Sequence, residues 1–266
     1  VRIGIVGCAG QMGRMLVEAV LDSGDMTLAG GTERPGHPSL GGDIARAAGR
    51  NACGLTIGSD VDALFAESDA VIDFTTPDGT LAHAEAAARH RRALIIGTTG
   101  LSEAHRSAIA TAAAVAPVVQ AANMSLGVNI LLGLASRAAA ALGSEYDIEI
   151  LEMHHRRKVD APSGTALALG EAVAAARGVD LASAGVRTRD GHTGARPDGA
   201  IGFATLRGGD VVGDHTVMFA GPGERIELTH RAQSRHVFAS GALAAARWTE
   251  GRPPGLYGMR DVLGLT

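Results

Sequence analysis

Ile3-Gly4-Ile5-Val6-Gly7-Cys8-Ala9-Gly10-Gln11-Met12-Gly13-Arg14 passes from a short apolar run, through three glycines, into a helical pattern near Met12–Ser23. Glycines at such a junction permit a tight turn and let a ligand approach bare backbone. The helix start beyond them offers unpaired N–H groups and a partial positive charge, which suits a phosphate. The spacing is G-x-x-G-x-x-G rather than the commoner G-x-G-x-x-G, and a glycine trio alone also fits any tight strand-to-helix turn. Its context decides how it reads.

Outward from this turn, short apolar runs alternate with longer helical patterns. Strands are expected near Arg2–Val6, Thr27–Gly31, Ala70–Phe74, Ala93–Gly97 and Val118–Ala121, with helices near Met12–Ser23, Thr80–His90 and Ser102–Ala114. A Gly54–Ser59 segment and Val61–Phe65 read as one irregular crossover. Strand, helix, strand in repetition predicts a parallel sheet with right-handed crossovers.

The pattern changes after about residue 125. A helix near Val128–Leu142, a strand near Asp147–Met153 and a helix near Thr165–Arg177 are followed by Gly-rich loops. Strand-like runs come at Ile201–Leu206, His215–Ala220 and Arg225–Thr229. Strands gathered after helices point to a second, α+β domain with a mixed or antiparallel sheet. A last Ala-rich helix near Phe238–Thr249 resembles the first half and is expected to pack there.

Apolar residues make up 46% and charged residues 20% of the 266-residue chain, enough for a sizeable core in one large α/β unit or two modest domains. This excludes a disordered tail protein or a small disulfide scaffold. Aromatics are only 3%, while 37 glycines suit close helix packing and loops that approach a ligand. The formal charge of -4 supplies no global field for nucleic acid. Two cysteines, the absence of a run of roughly 18 apolar residues and a start without a basic-then-apolar leader predict a reduced, cytoplasmic protein.

Glu33 follows Gly13 by twenty residues, at the end of the second expected strand. An acidic side chain there can accept bonds from adenosine ribose hydroxyls, and the adjacent Arg34 can pair with a 2′-phosphate. With the glycine turn, this makes nicotinamide dinucleotide binding the favoured reading, with both NADH and NADPH accepted. Alone, Glu33-Arg34 would read as a solvated pair. Phe74-Thr75-Thr76-Pro77, Gly97-Thr98-Thr99-Gly100 and Ala121-Ala122-Asn123-Met124 fall where strands stop, the edge where open α/β sheets bind ligands. Ordinary turns use the same residue types.

The densest chemistry is Glu152-Met153-His154-His155-Arg156-Arg157-Lys158-Val159-Asp160-Ala161-Pro162-Ser163-Gly164-Thr165-Ala166. Five potentially cationic side chains end an apolar strand, and Ser163-Gly164-Thr165 is built like a helix start that can hold an anion. Such a loop suits a small carboxylate substrate, with His or Lys as proton donor. Against this stand a solvated basic face, a nucleic-acid patch, a plain helix cap, or paired histidines as metal ligands, although no ligand-spaced Cys or acidic cluster accompanies them. His83, His90 and His105 lie in amphipathic patterns and read as surface residues. His192 and His215 belong in or beside Gly-rich loops. Cys8 reads as a small, neutral side chain in the turn.

At these residues the chain resembles the dihydrodipicolinate reductase family, also called 4-hydroxy-tetrahydrodipicolinate reductases. The likeness is carried by Val6–Arg14, Asp73-Phe74-Thr75, Gly97–Gly100 and Ala121–Asn123, by Gly202-Phe203-Ala204 and Met259–Leu263, and above all by Glu152–Ala166. The resemblance implies a Rossmann-like dinucleotide-binding domain from residues 1–125 and 235–266. It also implies a substrate-binding and tetramerisation domain from 126–234. By the same resemblance Gly7, Cys8, Ala9, Gly10, Gln11, Met12, Gly13, Glu33, Arg34, Gly97, Thr98, Thr99, Ala121, Ala122, Asn123 and Met124 contact the cofactor. His154 and Lys158 would be the acid–base pair, and His155, Lys158, Ser163, Gly164 and Thr165 would surround the dicarboxylate. Met124 departs from the pattern, since an aromatic often follows Ala-Ala-Asn in the family. The implied protein is a homotetramer of lysine and diaminopimelate synthesis that reduces a heterocyclic dicarboxylate with NADH or NADPH, without a metal, nucleic acid or membrane.

Three alternatives share parts of this pattern. Another NAD(P)-dependent amino- or hydroxy-acid dehydrogenase shares the glycine turn. A non-catalytic NAD(P)H-sensing module explains the turn but not the basic loop. A nucleic-acid-binding protein is disfavoured by the acidic balance and scarce aromatics.

Overall fold

The computed structural model describes residues 1–265. The chain divides into two compact units, one of residues 1–126 with 236–266 and one of residues 127–235. The first half builds β1 (Arg2–Val6), α1 (Gln11–Leu21), β2 (Thr27–Thr32), α2 (Ile44–Ala47), α3 (Val61–Glu67), β3 (Ala70–Asp73), α4 (Pro77–His90), β4 (Ala93–Ile96), α5 (Glu103–Ala113) and β5 (Pro117–Gln120). The second unit holds α6 (Leu126–Ala141), β6 (Asp147–His154), α7 (Gly164–Arg177), α8 (Leu181–Ala184), β7 (Gly185–Val186), β8 (Ile201–Arg207), β9 (Gly213–Gly221) and β10 (Glu224–Ala232). The chain then returns to the first unit with α9 (His236–Trp248), β11 (Gly255–Tyr257) and α10 (Met259–Val262).

The first unit is Rossmann-like: six parallel strands in the order β11-β5-β4-β3-β1-β2, with helices on both faces. Its central strands read as continuous apolar runs because both faces are covered. Ile3, Ile5, Ile72 and Ile95 pack under α1 and α9 through Leu16, Val17, Val20 and Ala242. Val6, Val71, Leu94 and Ile96 pack on the opposite side against Ala84, Ala87, Ile109 and Ala112. The late Ala-rich helix does return to the first core, as its composition predicts. Gly241 explains how closely it packs, since a Cβ there would stand 1.7 Å from the Met124 carbonyl oxygen.

Helix ends follow local chemistry. Asp60 accepts from Ala63 N at 2.9 Å at the start of α3, and Thr76 with Pro77 starts α4. The expected helix near Met12–Ser23 stops two residues early because the Ser23 hydroxyl turns to Asp25 and Met26. The sequence reading misses α2, α8, α10, β7 and β11, all four residues or fewer. β11 lies behind Pro253-Pro254 and pairs with β5 over only three residues.

The second unit is α+β, with a mixed sheet in the order β10-β9-β6-β8-β7. β6 runs parallel to β8 and antiparallel to β9. One sheet face, carrying Ile148, Ile150, Phe203, Val217 and Phe219, is covered by Leu131 and Ala135 of α6 and Leu169 and Val173 of α7. Arg189 and Arg196 tie the segment before β8 to Glu149 of β6 at 2.8–2.9 Å. Among the described residues no helix is long and apolar enough to cross a membrane.

Candidate active site

In the first unit the glycine turn is held from both sides. Gly10 N donates to Gly7 O at 3.0 Å and Cys8 N donates to Thr32 O at 3.2 Å. Gly7 has φ +65°, and a Cβ at Gly13 would stand 2.1 Å from Gly7 O and 2.7 Å from Cys8 Cα. Both positions therefore require glycine. Cys8 is fully buried, and burial, then the Glu33 charge, push its thiol up to about 12, so it is a neutral packing group.

The turn opens onto a cleft of about 480 Å³ lined by Gly7, Gly10, Gln11, Met12, Gly13, Glu33 and Arg34 from the sequence-derived set. Ala9 is buried, and its N–H donates to Glu33 Oε1 at 2.9 Å, so Glu33 already binds the turn that it faces. Arg34 is exposed beside it. The first turn of α1 carries no acidic side chain. A helix N-terminus, bare backbone and an acidic residue at the end of β2 fit a dinucleotide's pyrophosphate and ribose.

Pro35, His37, Ser59, Val61, Thr75, Thr76 and His83 also line the cleft, and most of these escaped the sequence reading. His83 corrects an expectation. It is a buried residue rather than a surface one, with Nδ1 at 2.9 Å from Asp73 Oδ2. Asp73 is itself fully buried and accepts from Thr75 N at 2.8 Å, Thr75 Oγ1 at 2.7 Å and Thr98 Oγ1 at 3.3 Å. A buried acid at a strand end needs such partners, which is the signal that could have exposed His83. Gly97, Thr98, Thr99 and Ala121–Met124 follow β4 and β5 and do not line this cleft. Met124 is buried, and Asn123 Oδ1 accepts from Ser125 N at 2.9 Å.

In the second unit β6 ends in Glu152, Met153 and His154. Strand alternation places Glu152 and His154 on one face, with Glu152 Oε2 at 2.5 Å from His154 Nδ1. Glu152 is 1% exposed and is gripped by both terminal nitrogens of Arg207, at 2.8 and 2.9 Å. Ser163 N donates to it as well, at 3.1 Å. Burial pushes the Glu152 carboxyl up, but the bonds from Arg207 and His154 outweigh this and hold it below the usual range.

Ser163 caps α7, its hydroxyl accepting from Ala166 N at 3.2 Å and meeting His215 Nε2 at 3.1 Å. His215 packs edge-on against His154 with ring centroids 5.1 Å apart. Burial, then the neighbouring His154, push His215 down to about 4, so it is neutral at physiological pH. Burial also lowers His154, although Glu152 opposes the shift. Lys158 pairs with Asp160 at 2.7 Å, and the Asp160 carbonyl accepts from Arg207 Nη2 at 2.6 Å.

Thus His154, Ser163 and Lys158 gather on one loop-and-strand cluster, with Gly164 and Thr165 in the first turn of α7. A Cβ at Gly164 meets nothing within 4 Å, leaving open space over the helix start. His155 donates its backbone N–H to Val211 O at 2.8 Å. Glu152, Arg207 and His215 are the additions that sequence reasoning lacked. Glu152 stands in the quoted motif, whereas Arg207 and His215 come from distant strands. Among the described residues no group of three or more His, Cys, Asp or Glu is placed to hold a metal ion.

Residues 1–124 match the family model for the dihydrodipicolinate reductase N-terminus and residues 127–263 that for its C-terminus. The chain belongs to the dihydrodipicolinate reductase family. It is 55% identical to a 4-hydroxy-tetrahydrodipicolinate reductase of Dinoroseobacter shibae, over 98% of this chain and 97% of that protein. It is 54% identical to another from Beijerinckia indica, over 98% and 96%. Among solved structures, the dipicolinate-bound dihydrodipicolinate reductase from Paenisporosarcina sp. TG-14 shares the fold, with a TM-score of 0.79 at 24% identity, over 98% of each chain. The two reductase family models meet at residues 124–127, beside the boundary at 126/127 between the compact units.

Proposed function

We propose that this protein is an NAD(P)H-dependent reductase that converts 4-hydroxy-tetrahydrodipicolinate to 2,3,4,5-tetrahydrodipicolinate in lysine and diaminopimelate synthesis, with loss of water. The observation that carries this reading is the cluster of buried His154 and Glu152 with Arg207 beside the Ser163-capped start of α7. It joins a proton donor to an anion-holding helix end within one small region.

The reduced cofactor supplies a hydride. Gly7, Ala9–Gly13, Glu33 and Arg34 would hold its adenosine and pyrophosphate, with Cys8 packing beneath the turn. The ends of β4 and β5, Gly97–Thr99 and Ala121–Met124, are assigned to its nicotinamide half. Glu33 supports NADH and Arg34 supports NADPH, so dual use is the reading. Residues 1–125 and 235–266 then act as the cofactor domain, and 126–234 as the substrate and assembly domain.

Hydride addition to a conjugated imine leaves an enamine-like anion that needs a proton at the neighbouring carbon. His154 is assigned that donation, with Lys158 assisting and holding a carboxylate. His155, Ser163, Gly164 and Thr165 are assigned to the dicarboxylate, at the positive N-terminal end of α7. A cytoplasmic homotetramer is the proposed state. The second unit's sheet supports assembly, since helices cover one face while Leu206 stays exposed on the other.

The test makes substrate in situ from pyruvate and aspartate semialdehyde through the preceding synthase, and follows oxidation of NADH and NADPH. Synthase-dependent oxidation is expected, with loss of most turnover in His154→Gln and Lys158→Gln. Unchanged turnover in those variants would overturn the residue roles. Cofactor binding without oxidation would favour a sensor or a different dehydrogenase.

A further inference from the structure

Glu152 is more than a neighbour of His154. Its carboxylate is buried, bound on both oxygens by Arg207, and kept ionised by that pairing. An ionised carboxylate only accepts hydrogen bonds. The imidazole nitrogen beside it, Nδ1 at 2.5 Å, must therefore carry a hydrogen whether His154 is charged or neutral. That leaves Nε2 as the nitrogen that gains and loses the proton.

The space around Nε2 agrees. A Cβ at Gly213 would stand 3.0 Å from His154 Nε2 and 3.3 Å from Cδ2, so glycine at the start of β9 keeps that side of the ring clear. The charged and titratable groups facing His154 come from every element around it. They are Glu152 on β6, Lys158 on the following loop, Arg207 on β8 and His215 on β9. Arg207 is committed to Glu152, and neutral His215 is engaged by Ser163, so neither competes for Nδ1.

We propose that Glu152 is the positioning residue of the acid group, fixing the His154 imidazole so that Nε2 alone donates, with Arg207 clamping Glu152 and Gly213 leaving room at Nε2. The inference rests on the reading of His154 as the proton donor. In the step, the anion's electron pair forms the new C–H bond with the Nε2 proton. The N–H electron pair stays on Nε2, leaving neutral imidazole with its Nδ1–H still on Glu152. Solvent then reprotonates Nε2.

The test is long-range proton–nitrogen NMR of the whole protein with labelled histidines, the His154 signals being those lost in His154→Gln. Wild type is expected to read Nδ1–H above the His154 pKa, with Nε2 titrating. In Glu152→Gln a single amide oxygen replaces two acceptors for the Arg207, Ser163 and His154 donors, so the Nδ1–H preference should relax. There kcat should fall by roughly tenfold to a hundredfold, within what general acid catalysis supplies, with KM for NADH unchanged. Wild type reading Nε2–H, or a Glu152→Gln protein with its tautomer and kcat intact, would overturn the proposal. If Glu152→Gln does not fold, Gly213→Ala tests the other side of the ring: lost kcat with intact NADH binding supports the proposal, and full kcat sinks it. Turnover surviving in His154→Gln overturns the acid role itself and is read separately from the tautomer.

Discussion

His83 Nδ1 lies 2.9 Å from Asp73 Oδ2, joining α4 to the end of β3 where both side chains are buried. Burial pushes the Asp73 carboxyl up, but the bonds from His83 and Thr75 outweigh it and hold the group below the usual carboxylate range. The same carboxylate anchors Thr75 and Thr98, so one pair sets the ends of two strands.

Replacing His83 by Phe leaves that carboxylate without its main partner, at a cost of about 3–5 kcal/mol. Asp73 normally contributes stability above its unfolded pKa, and the contribution is lost as pH falls through its depressed folded value. In His83→Phe burial dominates, so Asp73 becomes a liability at neutral pH and Asp73→Asn in that background should recover part of the loss. Urea unfolding of the variants measures this, and a loss under about 1 kcal/mol would refute the assignment of the pair.

His215 predicts a second pH effect of opposite chemistry. Its folded pKa of about 4 lies below the ordinary 6.5, so the unfolded chain binds the extra proton between those values. Stability is full above about pH 6.5 and falls as pH drops, by up to about 3 kcal/mol near pH 4. Denaturant midpoints across that range should show the slope, flattened in His215→Gln. An unchanged slope would place the titration elsewhere.

Two glycines should behave in opposite ways. Gly13→Ala drives a methyl group into backbone at Gly7 and Cys8, which cannot yield, so stability falls by about 1–3 kcal/mol and NADH binding weakens with it. Gly164→Ala meets open space at a helix start and should hold or raise stability by about 0.5 kcal/mol. Its methyl group would nevertheless occupy the proposed substrate side of α7. KM for the dicarboxylate should rise while Tm does not fall, which calorimetry and steady-state kinetics separate.

Cofactor choice is the fourth expectation. Arg34→Ala removes a charge-assisted partner for a 2′-phosphate, worth about 1.5 kcal/mol, so NADPH binding weakens about tenfold and NADH binding holds. Glu33→Ala also frees Ala9 N–H and should weaken NADH more than NADPH. Fluorescence titration of both cofactors reads the two changes. Equal losses for NADH and NADPH in Arg34→Ala would remove Arg34 from phosphate recognition.

Local signals made much of this protein legible from sequence alone. Apolar periodicity and glycine placement act over a few residues, so they marked the parallel first sheet, the tight turn at Gly7–Gly13 and the late helix that rejoins the first core. The Glu152–Ala166 block named the family, and Ser163 read as a helix cap, which it is. What tertiary structure alone decided are the pairings across long separations. Arg207 is 55 residues from Glu152, and His215 is 52 from Ser163. Even His83, ten residues from Asp73, looked like a surface histidine until α4 packed against β3. No periodicity signals such pairs, because they form only where folding removes water and a buried charge must find its partner.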